Sequence, residues 1–426
     1  MATVDAARSG LSGAGVAVLA AAVFVVSVGY GALIPVLPGW LASLEPSLSA
    51  STIAEQVGEL SGIYMLGVFV GALAAGYLSD WVGRRPVLLA GLSVFLGALL
   101  ATVHLESLVS LYALRFLAGF SGAAVLPVSA AFIADGSPPG SVPRRLAYLG
   151  AASLLGFLIG PAIVSLPEVM NAGMRWGIDG PVALFAFAMH ATLGLGILVL
   201  VAAFWVRPVA SQAPSMTSGS SIARATGRFP LFALLTLNFA TLLGLGGFEV
   251  ALTLYGSQRL QLDALRISLM FAECSIVMLF INGVLFLTPL WRFLAVRTAL
   301  MLSMGAMVGG FVLLYRSTGY GFVLAAVALI AAGSGIAMPT IAYSVASRVG
   351  RLGAALGRLT AAGSLGQAIG SFAGGSMFAL FSAGTFLVMS LFMTLALLLA
   401  WMSIRGLPAM VGPGERGALD PVQRRP

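Results

Sequence analysis

Twelve long apolar stretches, separated by short polar ones, dominate the pattern of hydrophobic and polar positions along this chain. They cover about 15–41, 54–78, 86–105, 107–134, 143–167 and 183–206 in the first half, and about 229–256, 264–290, 294–315, 319–346, 353–380 and 382–404 in the second. A helix needs about 20 apolar residues to cross the hydrocarbon core of a bilayer. The pattern therefore predicts an all-α membrane protein with twelve transmembrane helices.

One polar break, rich in serine and alanine, divides these stretches into two sets of six. We therefore predict an N-terminal six-helix bundle at 15–206, a linker at 207–228 and a C-terminal six-helix bundle at 229–404. The polar ends, 1–14 and 405–426, are predicted to be tails on the same side of the membrane as the linker.

The arginines between the apolar stretches indicate the orientation. All 22 basic residues are arginine. If both termini lie inside, seventeen arginines fall in inner segments and Arg115 falls within a helix; the outer loops hold only Arg175, Arg259, Arg266 and Arg316. Cytoplasmic segments carry such an excess of positive charge. We expect an integral protein of a bacterial inner membrane, or of a membrane derived from it, with both termini cytoplasmic.

Composition excludes several classes of protein. The chain is 59% hydrophobic and 8% charged, whereas soluble domains carry about 25% charged residues. Without lysine it has no phosphate loop for ATP and no Schiff-base chemistry. His104 and His190 have no metal-spaced partners in sequence, and the single cysteine, Cys274, allows no internal disulfide. We expect no enzymatic activity, no cofactor, no metal site and no nucleic-acid partner, and we expect a monomer.

The two halves of the sequence resemble each other at an offset near 210 residues. Gly156–Gly160 in the fifth stretch matches Gly366–Gly370 in the eleventh, and Gly122–Pro127 in the fourth matches Gly335–Pro339 in the tenth. Repeated six-helix halves place a solute site near the bilayer midplane, at the interface between the repeats. The repeat thus predicts a transporter with two pseudo-symmetric bundles.

Four groups of residues carry a resemblance to a known family. The turn after the second stretch reads Gly76-x-Leu78-x-Asp80-x-x-Gly83-Arg84-Arg85, and the fourth stretch contains Arg115-x-x-x-Gly119. The fifth holds Gly150 through Gly156 with Gly160 and Pro161, and the first holds Gly29-Tyr30-Gly31 with Ile34-Pro35-Val36-Leu37-Pro38. Over about 15–405, the chain resembles the twelve-helix drug:proton antiporter branch of the major facilitator superfamily, which includes tetracycline efflux proteins.

The resemblance implies that the turn after the second stretch is a conformational latch. Asp80 would accept hydrogen bonds from the free N–H groups at the start of the eleventh helix, near Gly353, where an anion is favoured. Arg84 and Arg85 are expected to pair with Asp135 at the inner end of the fourth stretch. Gly76 and Gly83 complete the latch, which would hold the inner side shut in the outward-facing state. The alternative is that the turn only fixes topology, which requires the arginines but not Asp80.

The sequence departs from the resembled exporters in the first stretch. They carry an acid nine residues before the first proline, a position occupied here by Val26. Glu249 and Glu273 each lie twelve residues from Gln261, so adjacent antiparallel helices would place them at similar depth. Two neighbouring carboxylates in a low-dielectric site do not both ionise easily. We therefore predict a proton-coupling site in the second half, unless helix rotation separates the two side chains.

Arg115 is a charged residue inside a predicted helix. Such a charge costs about 2.5–3.5 kcal/mol even on lenient insertion scales, so it needs an acid, backbone carbonyls or water. Depth alone suggests Glu59 in the second stretch as its partner, and backbone carbonyls are the alternative.

The remaining candidates line the solute cavity or seal the helices. Tyr30, Asn238, Asn282 and Gln367 are the polar side chains that we expect in the cavity. Gly156, Gly160 and Pro161 form a bending seal by resemblance, or simply pack against a neighbouring helix.

These observations together predict a secondary transporter that works by alternating access. The resemblance implies proton-coupled efflux of an apolar or amphipathic compound, with protons and the bilayer as the other partners. Importing a nutrient, facilitating its diffusion and handling metals or siderophores are alternatives within transport. A membrane scaffold or sensor without transport is the alternative outside it.

Overall fold

The computed structural model describes residues 10–104, 107–169, 180–206, 228–288, 295–317, 319–346 and 352–403. Within these ranges the chain is almost entirely helical. The predicted linker except Arg228, the whole C-terminal tail and most of the N-terminal tail lie outside the described residues, so the predicted domain boundaries stay predictions.

Twelve long helices follow one another along the described chain. In the first half they are α1 Gly13–Leu33, α2 Ala50–Val82, α3 Arg84–His104, α4 Leu108–Gly136, α5 Val142–Val169 and α6 Gly180–Phe204. In the second half they are α7 Arg228–Leu254, α8 Ala264–Leu287, α9 Val296–Arg316, α10 Tyr320–Ala346, α11 Leu352–Phe381 and α12 Thr385–Ser403. A short helix, Leu37–Leu44, follows α1.

The number of membrane crossings agrees with the prediction. By length and apolarity, the described residues contain eleven candidate segments, and the last, Gly357–Met402, is 46 residues long. At 1.5 Å per residue it would be about 69 Å long, more than twice the thickness of the hydrocarbon core. The turn Ser382–Gly384 divides it into α11 and α12. The described chain therefore crosses the membrane twelve times.

Prolines explain the two interruptions in the first half. A proline lacks an N–H, and its ring clashes with the carbonyl four residues earlier. Pro38 lies four residues after Ile34, where α1 ends. Pro127 lies four residues after Ala123, where α4 is broken between Gly122 and Val125. Pro161 and Pro167 lie inside the unbroken α5, and Pro339 lies inside the unbroken α10, so a proline favours an interruption without dictating it.

The predicted internal repeat is confirmed by matching glycine contacts in the two halves. In the first half, a Cβ added to Gly156 would lie 2.5 Å from Phe24 O, and one added to Gly160 would lie 2.7 Å from Val28 O. In the second half, Gly366 and Gly370 of α11 face the carbonyls of Phe239 and Leu243 in α7 in the same way. Only glycine permits this closeness. The pairs α1–α5 and α7–α11 are therefore equivalent.

The two halves touch closely at one end of the bundle, which we call the outer end. Gly58 and Gly62 of α2 face α11, and a Cβ added to Gly58 would lie 2.8 Å from Gly375 Cα. Gln258, after α7, donates a hydrogen bond of 2.9 Å to Ala50 O at the start of α2. The outer end is closed.

At the opposite, inner end the same face of α2 is open. Gly76 and Asp80 lie eighteen residues, or five helical turns, beyond Gly58 and Gly62, so they point in the same direction. Yet no described atom lies within 4 Å of a Cβ added to Gly76, and the Asp80 side chain is 62% exposed. Among the described residues, the two halves are thus in contact at the outer end, whereas the inner end of α2 is exposed.

Candidate solute and proton site

A buried polar cluster joins the two halves. Tyr30 of α1 donates a hydrogen bond of 2.6 Å to Glu249 Oε2 of α7. Gln367 of α11 donates to the same oxygen at 3.1 Å and to the Tyr30 hydroxyl at 3.3 Å. All three side chains are buried. Three of the predicted residues, from three helices, therefore meet at one point between the bundles.

Aromatic rings connect this cluster to Arg115. The Tyr30 ring stacks on Tyr64 of α2 with 5.0 Å between centroids. The Arg115 guanidinium lies 4.7 Å from the centroid of the Tyr64 ring, a geometry in which the ring face attracts a cation. Phe157 of α5 also packs against Tyr30, with 5.8 Å between ring centroids. The site thus runs from a cation to a carboxyl group through two stacked tyrosines.

Arg115 does not pair with Glu59 as predicted from depth. Its Nε donates to Leu60 O at 3.4 Å, and Glu59 instead accepts a hydrogen bond from Tyr112. Depth fixes how far along a helix a residue lies but not the side to which it points. Arg115 is buried whereas Glu59 is exposed. The alternative, an arginine held by backbone carbonyl and ring contacts, describes Arg115 better.

Glu273 does not join the polar cluster. It lies in the outer half of α8 and is half-buried. Its Oε2 is enclosed and has no hydrogen-bond partner among the described residues. Glu249, by contrast, has hydrogen-bond partners in both halves, and a proton site shared with Glu273 stays a prediction.

The two predicted asparagines bond elsewhere. Asn238 is buried and donates to Leu359 O at 2.8 Å, which ties α7 to the inner part of α11. Asn282 donates to Met278 O of its own helix at 2.8 Å. Neither amide belongs to the cluster, and a role for them in the cavity stays a prediction.

The predicted seal residues pack between α1 and α5. A Cβ added to Gly31 of α1 would lie 3.1 Å from Phe157 O and 3.3 Å from Pro161 Cδ. Gly160 meets the α1 backbone beside Gly31, at Ala32 N and Val28 O, and Gly156 meets it about one turn earlier in α1, at Phe24 O. The contacts are those of close packing, and the packing positions Tyr30 beside Phe157.

The turn between α2 and α3 is built around Gly83 and Arg84. Gly83 has φ +102°, a conformation that only glycine adopts readily. Arg84 Nη1 lies 2.6 Å from Asp80 Oδ1 and donates to Ser79 Oγ at 2.6 Å, and its Nε lies 3.2 Å from Asp135 Oδ2. Arg84 therefore ties the inner end of α2 to that of α4.

Arg85 does not join Asp135 as predicted. It donates instead to the Phe204 carbonyl at the end of α6, because it sits one residue, about 100° of rotation, beyond Arg84 on α3. Asp80 pairs within its own turn and is exposed. Its contact with the start of α11, in a conformation closed inside, stays a prediction.

Asp80→Asn is expected to leave insertion and thermal stability unchanged and to cut transport severely. An exposed ion pair contributes about 1 kcal/mol or less to the free energy of unfolding, so the folded protein loses little stability. The substitution instead destabilises the conformation in which Asp80 would bind the start of α11, and transport requires that conformation. Transport in liposomes and the melting temperature of purified protein test this, with Glu55→Gln, an exposed acid of α2, as the control. Normal transport by the Asp80→Asn protein contradicts the latch.

Several residues in these sites were not among the predicted ones. Tyr64 and Phe157 flank Tyr30, Ser79 binds Arg84, and Gly58 meets Gly375 at the outer closure. An aromatic or glycine in an apolar helix is more often lipid-facing or packing, so the sequence alone did not distinguish them. The eighteen-residue spacing of Gly58 and Gly76 was a pattern that could have been found.

The fold and the site define a class of protein: a two-bundle membrane transporter with a polar site between pseudo-symmetric halves. Comparison with known families agrees, because residues 19–351 match the Major Facilitator Superfamily. The chain belongs to that superfamily and is a secondary active transporter.

Curated relatives are drug resistance proteins. The class G tetracycline resistance protein of Vibrio anguillarum is 31% identical over 366 residues, which are 81% of this chain and 85% of that protein. The class C protein of Escherichia coli is 30% identical over 354 residues, 78% of this chain and 83% of the relative. The quinolone resistance protein NorA of Staphylococcus aureus (strain MRSA252) is 28% identical over 173 residues, 40% of this chain and 42% of the relative. The predicted drug efflux branch is thereby confirmed.

Solved structures share the fold. A crystal structure of the D-xylose-proton symporter superposes with a TM-score of 0.72 at 15% identity, covering 92% of this chain and 98% of the other. A crystal structure of the human organic anion transporter MFSD10 (TETRAN) superposes with a TM-score of 0.66 at 23% identity, covering 90% of this chain and 98% of the other.

Proposed function

We propose that this protein exports an apolar or amphipathic compound in exchange for protons, with Glu249 as the proton-coupling residue. Export is supported by the tetracycline and quinolone resistance relatives. The observation that carries the role of Glu249 is its contact with Tyr30 and Gln367, one from each half of the molecule.

The position of Tyr30 supports this role in a chain that has Val26 in place of an acid. Tyr30 lies four residues, about one turn, beyond Val26 and on the same face of α1. Its hydroxyl binds the Glu249 carboxyl group. A carboxyl group from α7 therefore reaches the side of α1 on which the resembled exporters place their own.

The partners of Glu249 suggest how exchange is obligatory. Tyr30 and Gln367 are neutral donors, and an unpaired buried charge is costly. The carboxylate is neutralised by a proton or by a cationic group of the solute, and the two compete for it. Proton binding from one side and solute binding from the other then alternate with the opening of the two ends.

Purified protein in liposomes with an imposed pH gradient tests the proposal. We expect concentrative movement of labelled tetracycline or a labelled hydrophobic dye, accompanied by opposite proton flux and abolished by a protonophore. Solute movement without proton flux would indicate facilitated diffusion, and absence of movement for a broad panel of solutes would contradict transport of this class of compound.

A further inference from the structure

Arg115 is a buried cation without an acidic partner among the described residues. Its relative exposure is 4%, and neither of the ion pairs found in the described ranges includes it. Its hydrogen bond to Leu60 O uses only Nε and is long, at 3.4 Å. The ring face of Tyr64 offsets part of the charge. A buried charge that lacks an anionic partner is nevertheless costly, so an anion would be favoured beside Arg115.

The two terminal nitrogens of Arg115 are free to meet such an anion. Neither Nη1 nor Nη2 has a hydrogen-bond partner among the described residues, and neither is fully enclosed by the surrounding atoms. A guanidinium presents these nitrogens as a planar fork that fits both oxygens of a carboxylate. The position therefore suits the acidic group of a bound solute.

Glu249 has a free atom as well. Tyr30 and Gln367 both donate to Oε2, whereas Oε1 has no side-chain partner in the described ranges and is not fully enclosed. Tyr30 and Tyr64 connect this carboxyl group to Arg115 without bringing the two charges into an ion pair. The site thus offers a carboxylate oxygen at one end and two guanidinium nitrogens at the other.

Aromatic side chains lie beside the two charges. Tyr64 stacks on Tyr30, and Phe157 packs against Tyr30. Phe271 of α8 meets Phe157 edge-on, with 6.3 Å between ring centroids. Rings arranged in this way favour stacked or edge-on contact with a further ring, so an aromatic body suits the space beside the charges.

We propose that the solute is a zwitterion with an aromatic body, and that Arg115 binds its acidic group. The inference rests on the proposed function, in which Glu249 takes up a cationic group of the solute. It adds the acidic group and makes Arg115 a residue that determines specificity. A solute with only a basic group leaves Arg115 unpaired and binds more weakly.

Norfloxacin binding to the purified full-length protein tests the proposal, because this compound carries a carboxylate and a piperazinium on one aromatic body. Its ethyl ester keeps the basic group and lacks the acidic one. In calorimetry at neutral pH, we expect norfloxacin to bind saturably and at least tenfold more tightly than the ester.

Substitution of Arg115 should remove this preference. Arg115→Gln is expected to weaken norfloxacin binding at least tenfold and to leave ester binding unchanged, so the ester reports that the variant is folded. Arg144→Gln is the matched control and should change neither affinity, because Arg144 is an exposed arginine that also lies near a tyrosine ring, 5.9 Å from the Tyr148 centroid. If Arg115→Gln fails to fold, Arg115→Lys, which keeps the charge but not the planar fork, should still weaken norfloxacin binding alone.

Equal affinity of the unmodified protein for norfloxacin and its ester would overturn the proposal. So would an unchanged preference in the Arg115 variant, or no saturable binding of norfloxacin.

Failure of the proposed function is a separate outcome. Ester binding should weaken as the pH falls, because protons compete for Glu249, and Glu249→Gln should remove this dependence. If the dependence persists in that variant, the coupling role of Glu249 is wrong, whereas the difference between acid and ester at Arg115 still decides the acidic subsite.

Discussion

Replacing Glu249 by glutamine is expected to reduce solute transport driven by a pH gradient to the level of protein-free liposomes. Glutamine keeps the length of the side chain and an oxygen that can accept from Tyr30, so the buried contact between α1 and α7 is retained. Glutamine does not ionise, however, so proton and solute no longer compete at this position. Solute counterflow without a gradient should persist and should lose its pH dependence. Liposome flux at several pH values measures both.

Two other acids serve as controls for this experiment. Glu59→Gln changes an exposed acid that bonds to Tyr112, and it should leave coupling intact. Glu273→Gln should retain most of the coupling, because Glu273 lies outside the cluster. The Glu249→Gln/Glu273→Gln double variant should be uncoupled, and full coupling in that variant would refute a proton site at either residue.

Gly58→Val is expected to open the outer end and to slow transport strongly. A Cβ at this position would lie 2.8 Å from both Gly375 Cα and Ser371 O, and backbone atoms cannot move aside as a flexible side chain can. Overpacking typically costs about 1–3 kcal/mol, which shifts a two-state equilibrium by about 5- to 150-fold. The conformation closed outside should lose population by that factor.

Cysteine labelling measures this shift, because the only native cysteine, Cys274, is buried. In a Cys274→Ser background, a reporter at Ser371→Cys, which is buried at the closure, should react faster with an impermeant maleimide when Gly58 is valine. Gly97→Val is the matched control, since no described atom lies within 4 Å of a Cβ at Gly97. Unchanged labelling together with normal transport would show that the α2–α11 contact is not the outer closure.

The sequence predicted the architecture because membrane topology depends on the local composition of each segment. A crossing requires only a run of apolar residues, and orientation follows from the arginines between the runs. Even the equivalence of the halves was visible, since glycines that permit close helix contact recur at the same spacing.

The partners of the buried charges were predicted less well. The sequence indicated the depth of Arg115, Glu59, Glu249 and Glu273, and depth alone suggested two pairs. Arg115 and Glu59 have other partners, and Glu273 is not among the hydrogen-bond partners of Glu249. Each residue rotates a helix by 100°, so residues at equal depth can face different neighbours. His104 and His190 illustrate the converse: they are far apart in sequence, yet their ring centroids lie 6.3 Å apart.

Sequence by itself thus determined that this chain crosses the membrane twelve times as two related bundles with a charged turn at Asp80–Arg85. Only the tertiary structure decided that Tyr30, Glu249 and Gln367 meet, that Arg84 rather than Arg85 binds Asp135, and that Gly58 closes against Gly375. The physical reason is that apolarity and charge act one segment at a time, whereas these contacts depend on how helices from both halves are rotated and packed.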